Sequence, residues 1–268
     1  LQDLLAPLRA LLGDLMPHRA SADAAATLCD NGIDLTLGLA AEPDLAARER
    51  LVEFATAHDL ARLSWRAPRA GPEAAPAEPV VARRAPVFDF DGVGVHPPPD
   101  GFVQPTRAGE DALRWHVEAA LAGAARIADL YAGCGAFGLV LAARGAAVAA
   151  FDVAADPIAA LLAAARAAGF GERVTAEARD IVRRPLSVEE LARFDGVVLD
   201  PPRAGADAQA RALAGSVVPV VAYVSCNPTS FARDTRTLVD GGYRLVRVTP
   251  VDQFLWTAHL ELIGVFRR

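Results

Sequence analysis

Apolar residues near the start of the chain recur at two different spacings. From Leu1 to Met16 the leucines fall on one broad stripe at helical spacing, which predicts an amphipathic helix. Farther along, the apolar runs Ala24–Cys29 and Ile33–Leu39 flank an Asn31-Gly32 step. An Asn-Gly step between apolar runs is typical of a tight turn between antiparallel strands, so this segment predicts a β-hairpin.

A second helix and a further strand follow the predicted hairpin. Helical spacing predicts a helix over Asp44–His58, and a short apolar run predicts a strand over Ala61–Trp65. Residues Arg66–Pro86 are rich in proline, alanine and charge, which indicates an exposed loop or linker. Together these elements predict a small α+β domain, which we place at residues 1–95.

From Arg126 onward, apolar strands alternate with alanine-rich helices. This alternation is typical of a doubly wound parallel sheet. The last two strands have no helix between them, so we expect an antiparallel hairpin at the edge of the sheet. By analogy of fold, a Rossmann-like α/β sheet that ends in such a hairpin resembles class I S-adenosylmethionine-dependent methyltransferases more than dinucleotide dehydrogenases. We assign residues 96–268 to this domain. The predicted strands are Arg126–Tyr131, Ala147–Asp152, Arg173–Ala176, Gly196–Asp200, Val218–Ser225, Tyr243–Val251 and Leu260–Phe266.

Composition narrows the class of protein. Hydrophobic residues make up 53% of the chain and charged residues 22%, which describes a soluble globular protein, and no apolar run approaches the roughly 20 residues that cross a bilayer. The net charge is −6, so we expect any contact with a nucleic acid to be local rather than a broad neutralisation of phosphates. Three cysteines without a C-x-x-C pair argue against a zinc site and favour a reducing compartment, which we take to be the cytoplasm.

The chain does not begin with methionine, and its first residues lack the basic and apolar regions of a signal peptide. We therefore expect it to be a fragment of a longer protein, and we expect this fragment to be monomeric.

A glycine-rich segment follows the first strand of the predicted sheet. Gly133, Gly135 and Gly138 would let the backbone approach a cofactor closely, just before a helix begins. Asp152 ends the next strand, 19 residues after Gly133, where a carboxylate can accept both hydroxyls of a ribose. This spacing suits both NAD and S-adenosylmethionine, so the motif alone leaves the cofactor open.

Two more strands end in residues that can carry chemistry. Asp200 opens an Asp-Pro-Pro-Arg segment and Cys226 lies in a Ser-Cys-Asn-Pro segment, both at the edge of the sheet where such folds bind ligands. We expect the nearby helix N-terminus and Arg233 to favour the Cys226 thiolate. A thiolate that adds to carbon 6 of uracil turns carbon 5 into a nucleophile that can accept a methyl group.

Such a reaction also needs a general base, because carbon 5 keeps its hydrogen after the methyl group is added. Glu261 is the candidate, since strand alternation places it on one largely apolar face with His259, Ile263 and Val265. A carboxylate in that setting is unusual, and without the need for a base it would be interpreted as an edge-strand charge that reaches solvent.

Four segments together closely resemble the RNA 5-methyluridine methyltransferases, which modify transfer RNA and large-subunit ribosomal RNA, and the ribosomal branch is nearer. They are Asp129–Gly138, Asp200–Ala206, Val224–Asp234 and Asp252–Glu261, and the resemblance spans residues 101–268. It implies a uracil-5-methyltransferase that uses S-adenosylmethionine on RNA, with Cys226 as nucleophile and Glu261 as base. It also implies that the cofactor contacts Gln104, Tyr131, Asp152, Asp180 and Asp200.

The chain departs from the family pattern at two points. Asp152 stands where the family usually has glutamate. Many members also carry a four-cysteine iron–sulfur cluster, which Cys29, Cys134 and Cys226 cannot build, so any such cluster would need residues before Leu1. We expect no metal site in the chain itself.

Three alternative functions stay open at this point. The glycine pattern is compatible with an NAD-dependent oxidoreductase, although the Cys226 and Asp200 motifs argue against it. A non-catalytic RNA-binding module on the same fold would not need the pair of Cys226 and Glu261. A cytosine methyltransferase acting on RNA would be expected to have two cysteines in the cleft, and the sequence offers one.

Overall fold

The computed structural model describes residues 1–68 and 76–268. These residues divide into two compact units. The first comprises Leu1–Asp89 and Gly94–Gly101, and the second comprises Phe90–Val93 and Phe102–Arg268.

The first unit is built around a four-stranded sheet with the order β1-β2-β3-β4. The predicted hairpin is confirmed, because β1 and β2 pair antiparallel with Cys29 opposite Gly32. The second predicted helix is also confirmed, and Asp44 caps it by accepting a hydrogen bond from the backbone N–H of Ala47 at 2.8 Å. The elements of this unit are α1 (Leu5–Leu15), β1 (Asp23–Cys29), β2 (Gly32–Gly38), α2 (Leu45–Ala57), β3 (Leu60–Arg66), β4 (Glu78–Ala82), β5 (Phe88–Asp89) and β6 (Gly94–Val95).

The prediction of a loop throughout Arg66–Pro86 is wrong in part, because β4 lies inside it. This strand pairs antiparallel with β3, with Val81 opposite Leu63. It is an edge strand, and an edge position tolerates Pro79, which has no backbone N–H to donate to a neighbouring strand. Proline in this segment was one of the reasons that the sequence predicted a loop. Residues 69–75 of the predicted loop lie outside the described residues.

Leucine side chains from α1, β2, α2 and β3 form the core of the first unit. An ion pair is buried among the polar residues of the same unit. The Arg62 guanidinium donates to both carboxylate oxygens of Asp34, at 2.9 and 2.5 Å, and also to the carbonyl of Pro97 at 3.1 Å. Both side chains of the pair are less than a tenth exposed.

The second unit contains a seven-stranded sheet with the order β12-β13-β11-β10-β7-β8-β9. The five strands from β7 to β11 run parallel, and β13 lies antiparallel to both β11 and β12, which confirms the predicted terminal hairpin. The elements are α3 (Arg107–Ala120), β7 (Arg126–Leu130), α4 (Gly138–Ala143), β8 (Ala147–Asp152), α5 (Ala155–Ala167), β9 (Val174–Ala178), α6 (Val188–Leu191), β10 (Gly196–Leu199), α7 (Asp207–Gly215), β11 (Val220–Ser225), α8 (Pro228–Asp240), β12 (Arg244–Val251) and β13 (Glu261–Arg267).

The central strands of this sheet are buried on both faces. Leu130, Val197 and Tyr223 lie in β7, β10 and β11 and are inaccessible to solvent. Continuous apolar strands of this kind are typical of a parallel sheet covered by helices on both sides. None of the helices in the described part of the chain is long and apolar enough to cross a membrane.

We predict that Asp34→Ala destabilises the first unit by about 3–5 kcal/mol, because the substitution leaves the Arg62 charge buried without its partner. Urea denaturation would measure this loss through the fluorescence of Trp65. The measurement is made in a background with Trp115→Phe and Trp256→Phe, so that Trp65 is the reporter.

The matched control is Glu42→Ala, which breaks the more exposed ion pair between Glu42 and Arg48 in the same unit. We expect it to cost less than about 1 kcal/mol. Equal losses in the two variants would contradict a structural role for the buried pair.

Candidate active site

Three loops and the start of one strand meet at a single edge of the second unit's sheet. Leu199 of β10 lies opposite Leu130 of β7 on one side and Tyr223 of β11 on the other. Because these strands are parallel and in register, the residues that follow them emerge side by side. The glycine loop, Asp200 and Cys226 are therefore brought together as the sequence predicts.

The glycine loop has a backbone that side chains rarely allow. Tyr131, Gly133 and Gly135 have φ angles of 65°, 52° and 91°. A Cβ atom at Gly135 would lie 2.8 Å from the Leu161 side chain, whereas a Cβ at Gly133 would meet nothing within 4 Å. Gly135 is thus required by packing, and Gly133 borders open space that a ligand can fill.

Asp152 fixes this loop through both of its carboxylate oxygens. Its Oδ2 accepts the Gly133 N–H and its Oδ1 accepts the Ala154 N–H, each at 2.9 Å. Each oxygen keeps one further lone pair, so the carboxylate can still accept hydroxyl groups. Asp152 is thus held against the glycine loop with capacity left to bind a ligand.

Asp180 and Tyr131 lie close to the same loop. Asp180 follows β9, and its Oδ1 accepts the backbone N–H groups of Val182 and Arg183, each at 3.1 Å. Burial raises the pKa of the Tyr131 phenol to about 12, and the charges of Asp234 and Asp180 add to the effect. Tyr131 is therefore a neutral hydroxyl at the pH of a cell.

Sequence reasoning missed Asp129, a carboxylate inside the apolar strand β7. Its side chain is fully buried, its Oδ2 accepts the Gly138 N–H at 2.8 Å, and no described group bonds to its Oδ1. Burial raises the pKa of this carboxyl to about 7. The hydrogen bond from Gly138 lowers the pKa, and the Asp152 charge raises it further. The signal in the sequence was an aspartate within a run of apolar residues.

Asp200 begins a short chain of hydrogen bonds across the cleft. The Gln104 amide donates to Asp200 Oδ2 at 3.4 Å, and the Gln253 amide donates to Gln104 Oε1 at 3.0 Å. Burial, followed by the charges of Glu261 and Asp129, raises the pKa of the Asp200 carboxyl to about 8. Gln253 was not predicted as a site residue, although it lies in the last of the recognised motifs.

Cys226 is partly exposed and immediately precedes α8. Asn227 caps that helix by accepting the Thr229 N–H at 3.0 Å, and its side-chain amide donates to the Arg203 carbonyl at 2.9 Å. The cap therefore also ties the Cys226 segment to the Asp200 loop.

The expectation that Arg233 favours the Cys226 thiolate is wrong. The Arg233 guanidinium is held by the Asp234 carboxylate at 2.8 Å and by the Ala204 carbonyl at 2.9 Å. Burial and the charges of Glu261 and Asp200 raise the pKa of the Cys226 thiol, while a backbone hydrogen bond and the Arg203 charge lower it. The cation that opposes the shift is therefore Arg203.

Glu261 lies across the sheet from Cys226. Ser225 of β11 pairs with Leu262 of β13, and the same antiparallel register places position 261 opposite position 226. The Glu261 side chain is buried, and this burial raises the pKa of its carboxyl. A hydrogen bond from the Gln253 side chain lowers the pKa by a smaller amount.

The predicted neighbours of Glu261 are confirmed in part. Ile263 and Val265 are buried on the same strand, as the alternation indicates. His259 is exposed, precedes β13 and contacts the Phe254 ring, with centroids 6.1 Å apart, so its placement on the face of Glu261 was wrong. Among residues 1–68 and 76–268, no group of three His, Cys, Asp or Glu side chains is arranged to hold a metal ion.

A largely parallel sheet with a terminal antiparallel hairpin, a glycine loop and acidic residues after successive strands defines the fold of class I S-adenosylmethionine-dependent methyltransferases. Within that class the chain belongs to the tRNA (uracil-5-)-methyltransferase family, whose sequence model matches residues 95–268. This confirms the family that the motifs predicted, and it favours a methyltransferase over the alternative of an NAD-dependent oxidoreductase.

Relatives of known sequence and structure agree with this family. An uncharacterized RNA methyltransferase of Mesorhizobium japonicum is 42% identical over 258 residues, which is 96% of this chain and 60% of the relative. A 23S rRNA (uracil(1939)-C(5))-methyltransferase of Chromohalobacter salexigens is 36% identical over 278 residues, covering 100% of this chain and 56% of that protein. The chain thus spans about 60% of the length of the curated relatives it matches.

A solved structure shares the fold as well. The tRNA (uracil-54, C5)-methyltransferase of Pyrococcus abyssi, in complex with S-adenosyl-L-homocysteine, superposes with a TM-score of 0.68 at 27% identity. The match covers 87% of this chain and 55% of that one.

We predict that Asp129→Asn removes part of the pH dependence of stability of the cofactor-free protein. The Asp129 pKa is about 7 in the folded chain against a usual 3.8, so the folded state holds a proton that the unfolded state has lost. Stability therefore falls as pH rises from about 4 to about 7, by about 1.4 kcal/mol per pH unit for one proton. Asparagine keeps the shape of the protonated acid and should flatten that slope.

Urea denaturation of the wild type and the variant at a series of pH values tests this prediction. Subtracting the two curves removes the part of the Asp200 slope that burial and Glu261 cause, and the difference reports Asp129 together with its charge effect on Asp200. Parallel curves would show that Asp129 is ionised throughout this range.

Proposed function

We propose that the chain methylates carbon 5 of a uridine in RNA, with S-adenosylmethionine as methyl donor and Cys226 as a covalent nucleophile. The observation that carries this proposal is the register between β11 and β13, which sets Cys226 opposite the buried carboxyl of Glu261. Asp200 and the glycine loop lie at the same edge of the sheet.

We place the substrate in large-subunit ribosomal RNA. Support comes from the 23S rRNA methyltransferase of Chromohalobacter salexigens, which matches the full length of this chain. The transfer-RNA enzyme of Pyrococcus abyssi covers less of the chain, at lower identity. A transfer-RNA transcript is therefore the comparison substrate in the experiments below.

The residues of the cleft suit S-adenosylmethionine, which supplies an electrophilic methyl group and a positive charge when bound. Three carboxyls, those of Asp129, Asp200 and Glu261, are buried or partly buried and have raised pKa values. The charges of Asp129 and Glu261 contribute to the raised pKa of Asp200. A cationic ligand would relieve this clustering of negative charge. Gly133 borders open space for it, and we assign Gln104, Tyr131, Asp152, Asp180 and Asp200 to its binding.

Cys226 starts the reaction by forming a bond from Sγ to carbon 6 of the uracil ring. The electron pair of the carbon 5–carbon 6 double bond then moves onto carbon 5 and oxygen 4 as an enolate, which makes carbon 5 nucleophilic. Because the charges of Glu261 and Asp200 raise the pKa of the thiol, positive charge bound near those groups favours the thiolate. Arg203 is already placed to contribute in the same direction.

Carbon 5 would then form a bond to the methyl group of the sulfonium donor while the sulfur–methyl bond breaks and leaves a neutral thioether. Glu261 finishes the reaction. Its carboxylate removes the proton from carbon 5, the double bond to carbon 6 forms again, and the bond to Sγ breaks to release the thiolate. A burial-raised pKa suits this role, because a base works best when its pKa approaches the operating pH. Gln253 positions the carboxylate through its hydrogen bond and links it to Gln104.

We predict that a large-subunit rRNA transcript containing 5-fluorouridine forms a stable covalent complex with the chain when S-adenosylmethionine is present. Fluorine cannot leave as a proton, so the intermediate is trapped with RNA attached to Cys226. Denaturing gel shift and mass spectrometry of the cross-linked peptide would detect it. A fluorinated transfer-RNA transcript in parallel tests the choice of substrate.

Cys226→Ala should abolish the complex, whereas Cys29→Ala, which alters a buried cysteine of β1, should leave it intact. A complex that persists in Cys226→Ala would disprove the assignment of the nucleophile. Turnover of normal RNA without any trapped species would disprove the covalent route.

We predict that Glu261→Gln slows release of the methylated intermediate more than its formation. Glutamine keeps the size of the side chain but cannot accept the proton of carbon 5, so a covalent species should accumulate on unmodified RNA. Single-turnover kinetics with a radiolabelled methyl group would show fast incorporation into the complex and release slowed by about 100-fold or more. Equal slowing of both steps would remove Glu261 from the role of base.

A further inference from the structure

The loop between β12 and β13, residues 252–260, presents a fully exposed aromatic side chain. Trp256 has a relative exposure of 101%, and the adjacent Leu255 has 67%. Tryptophan usually buries its large ring on folding, with only its N–H near water. The indole of Trp256 buries no surface within the chain. Its whole surface is therefore available for contact with a partner.

The backbone of Trp256 is held in an unusual conformation. Its φ angle is 68°, in the left-handed region that bulky side chains avoid. The surrounding loop maintains this turn by its own hydrogen bonds, since the backbone N–H and the hydroxyl of Thr257 both donate to the Phe254 carbonyl, at 3.1 and 2.8 Å. The His259 N–H in turn donates to the Thr257 hydroxyl at 3.1 Å. Strain of this kind points to a functional requirement at the position.

The two ends of the loop belong to the catalytic cleft. Gln253, three residues before Trp256, is buried and bonds to Gln104, and Glu261, five residues after it, is the proposed base. The loop that carries Trp256 is therefore anchored at both ends in the cleft that would receive the target base. Nucleotides next to a uridine held beside Cys226 would come within reach of a side chain on this short loop.

Nucleotides beside a flipped-out base lose a stacking neighbour and expose a ring face. Aromatic side chains stack on such faces with little dependence on sequence. The net charge of the chain is −6, so long-range attraction to phosphates is weak and short-range stacking takes a larger share of binding.

We propose that Trp256 stacks on an unpaired base next to the target uridine and so positions the RNA over the cleft. This inference rests on the proposed function. It makes Trp256 a positioning residue for the RNA rather than a catalytic one, and Leu255 supplies adjoining apolar surface.

We predict that Trp256→Ala raises KM for the RNA substrate by roughly 10-fold, as expected for one lost stacking contact, and leaves kcat within about twofold. The affinity for S-adenosylmethionine should not change. Trp256→Phe should restore most of the loss, because it keeps an aromatic face. Trp115→Ala is the matched control, since Trp115 is also exposed, at 62%, but lies on α3, and its KM should equal that of the wild type.

Two further measurements separate stacking from a structural effect. The fluorescence difference between wild type and Trp256→Phe isolates Trp256, and RNA should quench it through base stacking. The dependence of KM on salt should keep the same slope in Trp256→Ala, because no phosphate contact is lost.

The inference about Trp256 is overturned, and the proposed function is not, if KM for Trp256→Ala lies within twofold of the wild-type value. The same holds if the wild type methylates the RNA but the RNA does not change Trp256 fluorescence. Absence of uridine methylation by the wild type would instead overturn the proposed function. RNA quenching of Trp256 in that case would still identify the loop as an RNA contact.

Discussion

The antiparallel register between β11 and β13 is the constraint on which the site depends. It sets Ser225 opposite Leu262, so the next two positions, Cys226 and Glu261, face each other just beyond the last pair of β11 and β13. A shift of one residue would turn every side chain of β13 to the other face of the sheet and carry Glu261 with it. Gly264 helps to fix this register, because a Cβ there would lie 2.6 Å from the Phe231 ring of α8. Packing between a strand and a helix thus keeps Glu261 on the face of the sheet that this register gives it.

Electrostatics adds a second level of organisation to the same cleft. Asp129, Asp200 and Glu261 are carboxyls in an environment that favours their protonated forms. The thiol of Cys226 responds to the same charges. A protein that binds only neutral or anionic ligands would gain nothing from this arrangement, whereas a cation in the cleft lowers all four pKa values together. Binding of a cation in the cleft and ionisation of the Cys226 thiol would then be linked through charge rather than through movement.

Sequence patterns were sufficient for the fold and for the position of most candidate site residues because the relevant signals are local. Apolar strands followed by glycine or aspartate identify strand ends, and a parallel sheet brings those ends together, so Gly133, Asp200 and Cys226 could be located without coordinates. The terminal hairpin was predictable for the same reason, from the missing helix between two apolar runs.

Features that depend on partners distant in the chain were missed or misassigned. Arg233 looked like an activating cation because its pairing with Asp234 and the Ala204 carbonyl cannot be read from spacing. Asp129 and Gln253 were overlooked because their roles arise from burial and from hydrogen bonds across the cleft. The edge strand β4 was hidden by Pro79, which an outer strand accepts and an inner strand would not.

Asn227 joins two segments that evolution could otherwise vary separately. One end of its amide holds the first turn of α8, and the other holds the loop that follows Asp200. Both partners are backbone groups, so the amide depends on the path of each segment rather than on its side chains, and a graft that changes the length of either loop must carry both as one module.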